Sequence, residues 1–368
     1  MINQSERKHI LFLIPSLGGG GAERVMVTLL QHLDRSKFHL SIAVIDTSKA
    51  VYLADVPDDV KLIDLGCKRV RYALPKIIRL IWKRRPDVVF STLGHLNLAL
   101  AMVRPLLPNG VYYIARETTV VSYGLQSYRF PRLWKMLYCW FYSNHDLAVC
   151  QSRAMQTDLT EQFDLPASKT VVINNPIDIN RICQKKLEAI EYPVVGNETI
   201  KLVAAGRMSA EKGFDLLIEA IALLNNKHIH LCLLGEGPLE NELKQLAKRK
   251  GLADQTHFAG FQANPYAWFA KADAFVLSSR YEGFPNVLLE ALACGTPVIA
   301  TPAPGGTREI LENIDGCMIA ESVTATALAD AIKRWLLCKK NCIDQAVLKA
   351  YQYQTIIERY ENMFWDAE

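Results

Sequence analysis

Two doubly wound α/β domains are the fold this sequence predicts, and three observations carry the prediction. Short, continuously apolar runs rich in β-branched residues alternate with segments whose apolar residues recur at helical spacing. That alternation runs through the chain twice. At 368 residues the chain is also longer than a single core ordinarily organises. Uninterrupted apolar runs suit strands covered on both faces, hence parallel sheets with helices on either side.

The strand runs of the first half are HILFLI (9–14), HLSIAVI (39–45), VKLIDL (60–65), DVVFST (87–92), VYYIAR (111–116), DLAVC (146–150) and TVVI (170–173). Those of the second are IKLVAAG (200–206), IHLCLLG (229–235), THFAG (256–260), AFVLSS (274–279) and PVIAT (297–301). Between the halves, 174–199 lacks strand character and contains two prolines, which marks a connector. The expected organisation is an N-terminal domain over 1–175, a connector over 176–198 and a C-terminal domain over 199–345. A last helical segment follows over 346–368.

Half of the residues are hydrophobic and 22% are charged, the balance of a globular chain. The nine cysteines are scattered without a CxxC pair, which suits a reducing compartment. Cys232 and Cys294 lie in apolar runs and are expected as buried thiols. The opening apolar run stops at Pro15 and reads as a strand, not a leader. The apolar stretch Val88–Pro108 includes His95, Asn97 and Arg104 and does not read as a membrane span. Charge is uneven: residues 1–180 hold 22 Lys/Arg against 15 Asp/Glu, the remainder 20 against 23. Such an excess suits nucleic acid, an anionic membrane or a phosphorylated substrate, or is simply a solvated surface.

In doubly wound sheets ligands bind beyond the carboxyl ends of the strands, so the loops after strands are the places to search. After 9–14 comes PSLGGGGAER, where Gly18–Gly21 precede a helix starting near Ala22. This is either a backbone cradle for a ligand or a flexible turn. Its spacing is neither GxGxxG nor a Walker loop, which removes support from dinucleotide oxidoreductases and P-loop NTPases. After 200–206 comes GRMSAEKG, in which Arg207 and Lys212 can clamp a diphosphate. After 229–235, Gly235, Gly237 and Pro238 make a tight turn into a helix. Phe261, past the next strand, either borders a flat ring or is core. After 274–279 comes YEGFPNVLLEALACGTP, with Glu282 and Glu290 eight positions apart. Pro285 suits a helix start and Gly295 its end, so Glu282 precedes the helix and Glu290 lies in its second turn. The N-terminus of that helix is a natural anion site.

GGGGAER near the start, GRxxxxKG at 206–213, GEGP at 235–238 and E-x7-E at 282–290 occur in this order. With them the chain resembles the retaining glycosyltransferases of family 4, over about residues 9–365. PGGTREIL (304–311) resembles the bacterial branch that builds capsule, O-antigen or lipid-linked oligosaccharides. The resemblance implies a GT-B fold, two Rossmann-like domains facing an interdomain cleft, with the nucleotide-sugar in the C-terminal domain. It implies that Arg207 and Lys212 hold the diphosphate and stabilise the leaving group, while Gly19 and Gly20 close over it. Glu290 would accept from ribose hydroxyls and Glu282 would lie near the donor sugar. Gly283, Phe284, Asn286 and Val287 would offer backbone N–H groups, whereas Pro285 has none to give. Gly235, Gly237 and Phe261 would flank the base.

Retention in this family is explained by same-face attack, with donor phosphate helping to take the acceptor proton. No DxD motif is present, so no metal and no cofactor is expected. Many relatives carry a histidine after the fifth strand, where IARETT here has Arg116, Glu117 and Thr118. His95 and Asn97, after the fourth strand, are the other acceptor-side candidates, with His95 either catalytic or structural. PKIIRLIWKRRP (75–86) and YRFPRLWKMLYCWFY (128–142) mix cations with large apolar side chains. They suit either an anionic membrane surface or packing on their own sheet. The expected partners are a nucleotide-sugar, UDP-linked, and a glycan or polyprenyl-diphosphate acceptor, with no nucleic acid. The expected location is the cytoplasm, peripheral on the inner membrane face. The alternatives are a sugar-nucleotide epimerase of the same fold and a non-catalytic nucleotide-sugar-binding subunit.

Overall fold

The structure is a computed structural model that describes residues 7–193, 198–338 and 345–367. The few residues of the expected ranges at 1–6, 194–197, 339–344 and 368 lie outside the described residues. The chain divides into two compact units, Met1–Pro176 with Tyr353–Glu368, and Ile177–Gln352.

In the first unit, Lys8–Ile14 (β1), Phe38–Val44 (β2), Lys61–Asp64 (β3), Val88–Thr92 (β4), Tyr112–Arg116 (β5), Leu147–Cys150 (β6) and Thr170–Val172 (β7) form one sheet. Every pairing is parallel, in the order β3-β2-β1-β4-β5-β6-β7. Its helices are Gly21–His32 (α1), Val70–Arg84 (α2), Gly94–Val103 (α3), Val121–Leu125 (α4), Pro131–Phe141 (α5) and Arg153–Gln162 (α6). The pleat sends alternate residues to opposite faces. Ile10, Phe12 and Ile14 therefore pack with α1, whereas Leu11 and Leu13 pack with α2 and α3. Both sets are buried, which is why this strand reads as an unbroken apolar run.

The second unit opens with Ile179–Lys185 (α7), so part of the expected connector is helical and packs within this unit through Ile182. Its strands are Ile200–Ala205 (β8), Ile229–Leu234 (β9), Thr256–Gly260 (β10), Ala274–Leu277 (β11), Val298–Ala300 (β12) and Met318–Ile319 (β13). Their order is β10-β9-β8-β11-β12-β13. The sequence reading misses β13, because two residues make no run. The helices are Phe214–Leu224 (α8), Glu240–Arg249 (α9), Tyr266–Lys271 (α10), Asn286–Cys294 (α11), Thr307–Leu311 (α12) and Ala325–Cys338 (α13). Cys232 and Cys294 are buried thiols, as expected.

Counted from its own first strand, each sheet begins in the same order. The direction of winding reverses between β1 and β4 in one unit, and between β8 and β11 in the other. At such a switch point, neighbouring loops diverge and leave a crevice beyond the strand ends. The last helix, Tyr353–Trp365 (α14), belongs to the first unit, where Ile356, Tyr360 and Phe364 join the β1 face of the core. No helix among the described residues is long and apolar enough to cross a membrane.

Candidate functional site

The switch point of the second unit brings together two residues that are distant in sequence. Lys212 follows β8 and Glu282 follows β11. Lys212 Nζ lies 2.7 Å from Glu282 Oε1 and 3.0 Å from Oε2. Ser279 Oγ donates to the same Oε1 at 2.6 Å. Glu282 is 9% exposed and the Lys212 side chain 26%, so most of this ion pair is withdrawn from water.

Glycines make the approach of the two loops possible. Gly213 follows a 3-10 turn at Ala210–Lys212 and adopts φ +62°, a left-handed conformation. A Cβ there would stand 2.1 Å from the Ser278 carbonyl oxygen. Gly235 has φ +123°, and a Cβ on it would stand 2.1 Å from the Gly206 carbonyl oxygen. A Cβ on Gly237 would meet the Met208 backbone at 2.4 Å. The GEGP turn is thus locked onto the GRM segment, with Met208 N–H donating to Glu236 O and Leu239 N–H to Met208 O. Its glycines serve backbone packing between strand-end loops, which the sequence reading had not separated from ligand contact.

Helix α11 starts beside this pair, with Pro285 at the capping position and Gly295 ending it at φ +85°. Glu290 is buried, one turn into the helix. The Phe284 side chain is core, packed against Tyr351, which leaves the expected backbone role untouched. Pro285 and Gly283 are buried beside it, while Asn286 and Val287 are half-buried at the first turn. Sequence reading missed Ser279, and also Gly305, where a Cβ would stand 2.1 Å from the Glu282 carbonyl oxygen. The PGG spacing was visible, but its contact with Glu282 was not. Arg207 is exposed and lies outside the ion pair. Phe261 is 69% exposed at the rim, its N–H 3.4 Å from Glu236 Oε1. The core alternative for Phe261 is therefore ruled out.

In the first unit, Gly19 (φ +94°) and Gly20 lead into α1, with the Tyr52 hydroxyl 3.4 Å from Gly19 O. His95 is exposed in the first turn of α3, and partial desolvation lowers its pKa. Three acceptor-side expectations need correction. Asn97 is sealed in the interior, where it accepts from Ser91 Oγ at 2.8 Å and donates to Glu117 Oε1 and Arg116 O, both at 3.0 Å. Arg116 is fully buried and donates to Asn175 Oδ1 (2.6 Å), Tyr360 OH (3.2 Å) and Thr92 Oγ1 (3.3 Å). Glu117 is 1% exposed; its Oε1 also accepts from the Tyr142 hydroxyl, and burial raises its pKa. None of the three side chains can reach a ligand in this conformation. Thr118 is half-buried in the loop that follows.

Two Rossmann-like units of this kind define the GT-B class of transferases. Residues 19–181 match the family model described as Glycosyltransferase Family 4, and residues 189–354 match that described as Glycosyl transferases group 1. The chain is 30% identical over 351 residues to an enzyme of Campylobacter jejuni, covering 92% of this chain and 91% of that one. That relative is N-acetylgalactosamine-N,N'-diacetylbacillosaminyl-diphospho-undecaprenol 4-alpha-N-acetylgalactosaminyltransferase. Among solved structures, a glycosyltransferase from Rickettsia africae superposes with a TM-score of 0.78 at 18% identity, over 98% of both chains. HepE of Anabaena, in complex with UDP, gives 0.74 at 20% identity, over 97% of this chain and 99% of that one. The chain belongs to this glycosyltransferase family and is a transferase enzyme.

Proposed function

We propose that the chain is a retaining glycosyltransferase that moves a hexose or N-acetylhexosamine from a UDP-linked donor. The acceptor is a glycan or a polyprenyl-diphosphate-linked sugar in the making of a bacterial surface polysaccharide or glycan. The observation that carries the donor side is the Lys212–Glu282 pair at the switch point, beside the N-terminus of α11. A departing nucleoside diphosphate gains negative charge, and fixed cations with helix N–H groups lower that barrier. In this reading Lys212 exchanges its Glu282 partner for phosphate, Arg207 reaches the diphosphate from its exposed position, and the freed Glu282 meets a sugar hydroxyl. Glu290 holds the ribose and Phe261 covers the base. Two cations supply the charge that other transferases draw from a metal ion. His95 remains the acceptor-side candidate for handling a proton.

The relative that acts on a diphospho-undecaprenol substrate supports a lipid-linked acceptor, and HepE bound to UDP supports that base. Helix α5 supports peripheral contact with an anionic membrane. Leu133, Met136 and Trp140 are exposed along it, with Phe130 just before it and Arg132 and Lys135 alongside. The test is calorimetry with UDP, GDP and ADP, with chelator and with added magnesium. UDP is expected to bind with the same affinity in both conditions. Arg207→Ala and Lys212→Ala should each weaken it about tenfold or more, the loss of one charge-assisted hydrogen bond. Parental UDP affinity in both variants would remove the donor-site assignment.

A further inference from the structure

The Lys212–Glu282 pair sits on two loops that need an independent reason to stay in register. Lysine is a flexible four-carbon arm that orders poorly unless its surroundings are fixed. The structure places that reason in Arg280, which the family motifs and the reaction leave without a role. Arg280 Nη1 donates to Asp215 Oδ1 at 2.8 Å and Nη2 to Oδ2 at 2.6 Å, a bidentate pair. Nη1 also donates to the Ala210 carbonyl at 2.8 Å, and the Arg280 backbone N–H to the Glu211 carbonyl at 2.8 Å. Ser278 Oγ adds a bond to the Lys212 carbonyl at 2.9 Å. The loop after β11 is therefore stitched to the 3-10 turn carrying Lys212, and to the first turn of α8 where Asp215 lies. Partial burial pushes the Asp215 pKa up, but the Arg280 hydrogen bond and charge outweigh it and hold it below its ordinary value.

We infer that Arg280 is a positioning residue for nucleotide-sugar binding, which acts by locking the Lys212 turn to the Glu282 loop through Asp215 and Ala210. The inference rests on the proposal that Lys212 meets the donor diphosphate. The competing role, direct contact between Arg280 and phosphate, makes the opposite prediction at Asp215. Removing the Asp215 charge would free a phosphate-binding Arg280 and tighten binding, whereas it unlocks a positioning Arg280 and weakens binding.

The experiment measures UDP affinity of the full chain and of Arg280→Met, Arg280→Lys, Asp215→Asn and the Arg280→Met/Asp215→Asn double variant. Hydrogen exchange at amides 207–213 is followed without nucleotide. The expected result is a loss of about tenfold in each of Arg280→Met and Asp215→Asn, and no further loss in the double variant, because the two act as one unit. Arg280→Lys recovers about threefold, since it restores the charge without the fork. Melting temperatures stay within about 3 °C of the parent, because the pair is more than a third exposed and contributes little to global stability. Amides 207–213 exchange faster in Arg280→Met. Parental UDP binding in Arg280→Met overturns the inference while leaving the donor site intact, and tighter binding in Asp215→Asn replaces it with direct contact. Should the parent chain bind no nucleotide, the donor-site reading fails, and hydrogen exchange alone decides: unchanged exchange in Arg280→Met overturns the lock as well.

Discussion

The two units present the same strand order but use the residues beyond their strands in opposite ways. At the switch point of the second unit the charged groups remain within reach of a ligand. Arg207 is exposed, and Lys212 keeps part of its side chain open although its partner Glu282 is buried. In the first unit Asn97, Arg116 and Glu117 are turned inward and bond to one another, Thr92, Asn175, Tyr142 and Tyr360, with Glu117 Oε2 left without a partner among the described residues. Arg116 spends its hydrogen bonds on holding Asn175, next to the unit boundary, and α14, which returns after it. The same chemical vocabulary thus stands partly open at the strand ends of one unit and serves internal cohesion in the other. In the second unit it is glycine that lets the strand-end loops come into contact.

If glycine permits that contact, its removal gives the largest effect. Gly213→Ala forces a Cβ to within 2.1 Å of a carbonyl oxygen in a left-handed conformation. We expect a loss of at least about 3 kcal/mol in urea unfolding, together with loss of UDP binding. Gly66 in the first unit supplies the contrast, with φ +57° but nothing within 4 Å of its Cβ position. Gly66→Ala is expected to cost about 1 kcal/mol, from backbone strain alone, with UDP binding intact. Equal losses at the two positions would mean that backbone conformation, not loop contact, sets the requirement.

Arg116→Ala comes next and separates cohesion from binding. It removes a donor from Asn175, Thr92 and Tyr360 inside the protein, and about 3 kcal/mol of stability is expected to go with it. UDP affinity should stay within about twofold, since the residue lies in the other unit. A variant with parental stability and reduced activity would return Arg116 to the acceptor side. The placement of Arg116 also shows what the sequence hides. The apolar runs, the two-fold repeat and the charged strand-end loops were legible because period and composition are local. Arg116 ends β5 two residues after Ile114 and so points to the same face. That face is covered by Tyr360 of α14, 244 residues away in sequence. Nothing near IARETT announces that cover, so the arginine read as a loop residue open to a ligand. The Lys212–Glu282 pairing was hidden for the same reason, although both residues had been singled out. Each stood in a recognisable motif, but only the order of β8 and β11 makes them neighbours.

The smallest expected effect tests how tightly the first unit's polar interior is closed. His145 is 2% exposed, its Nε2 is 2.9 Å from the Asn97 carbonyl, and Nδ1 has no partner among the described residues. Burial lowers its pKa from 6.5 to about 4, against the raising effect of that hydrogen bond. Below pH 6.5 the unfolded chain therefore takes up a proton that the folded chain refuses. Stability falls as the pH drops from 6.5 toward 4, by about 2 kcal/mol between 6.5 and 5 for this one group. His9 is lowered to about 4 as well and shares the window, so the parent alone cannot assign the loss. Urea unfolding of His145→Gln across that range isolates it: the amide can still donate to Asn97 O, but it does not titrate. The variant should lose about 2 kcal/mol less than the parent between pH 6.5 and 5, with UDP affinity at neutral pH unchanged. Superimposable curves would mean that His145 accepts its proton inside the fold. The cluster around Asn97 and Glu117 would then be open to water, and the contrast between a closed first unit and an accessible second would fail at the residues that most define it.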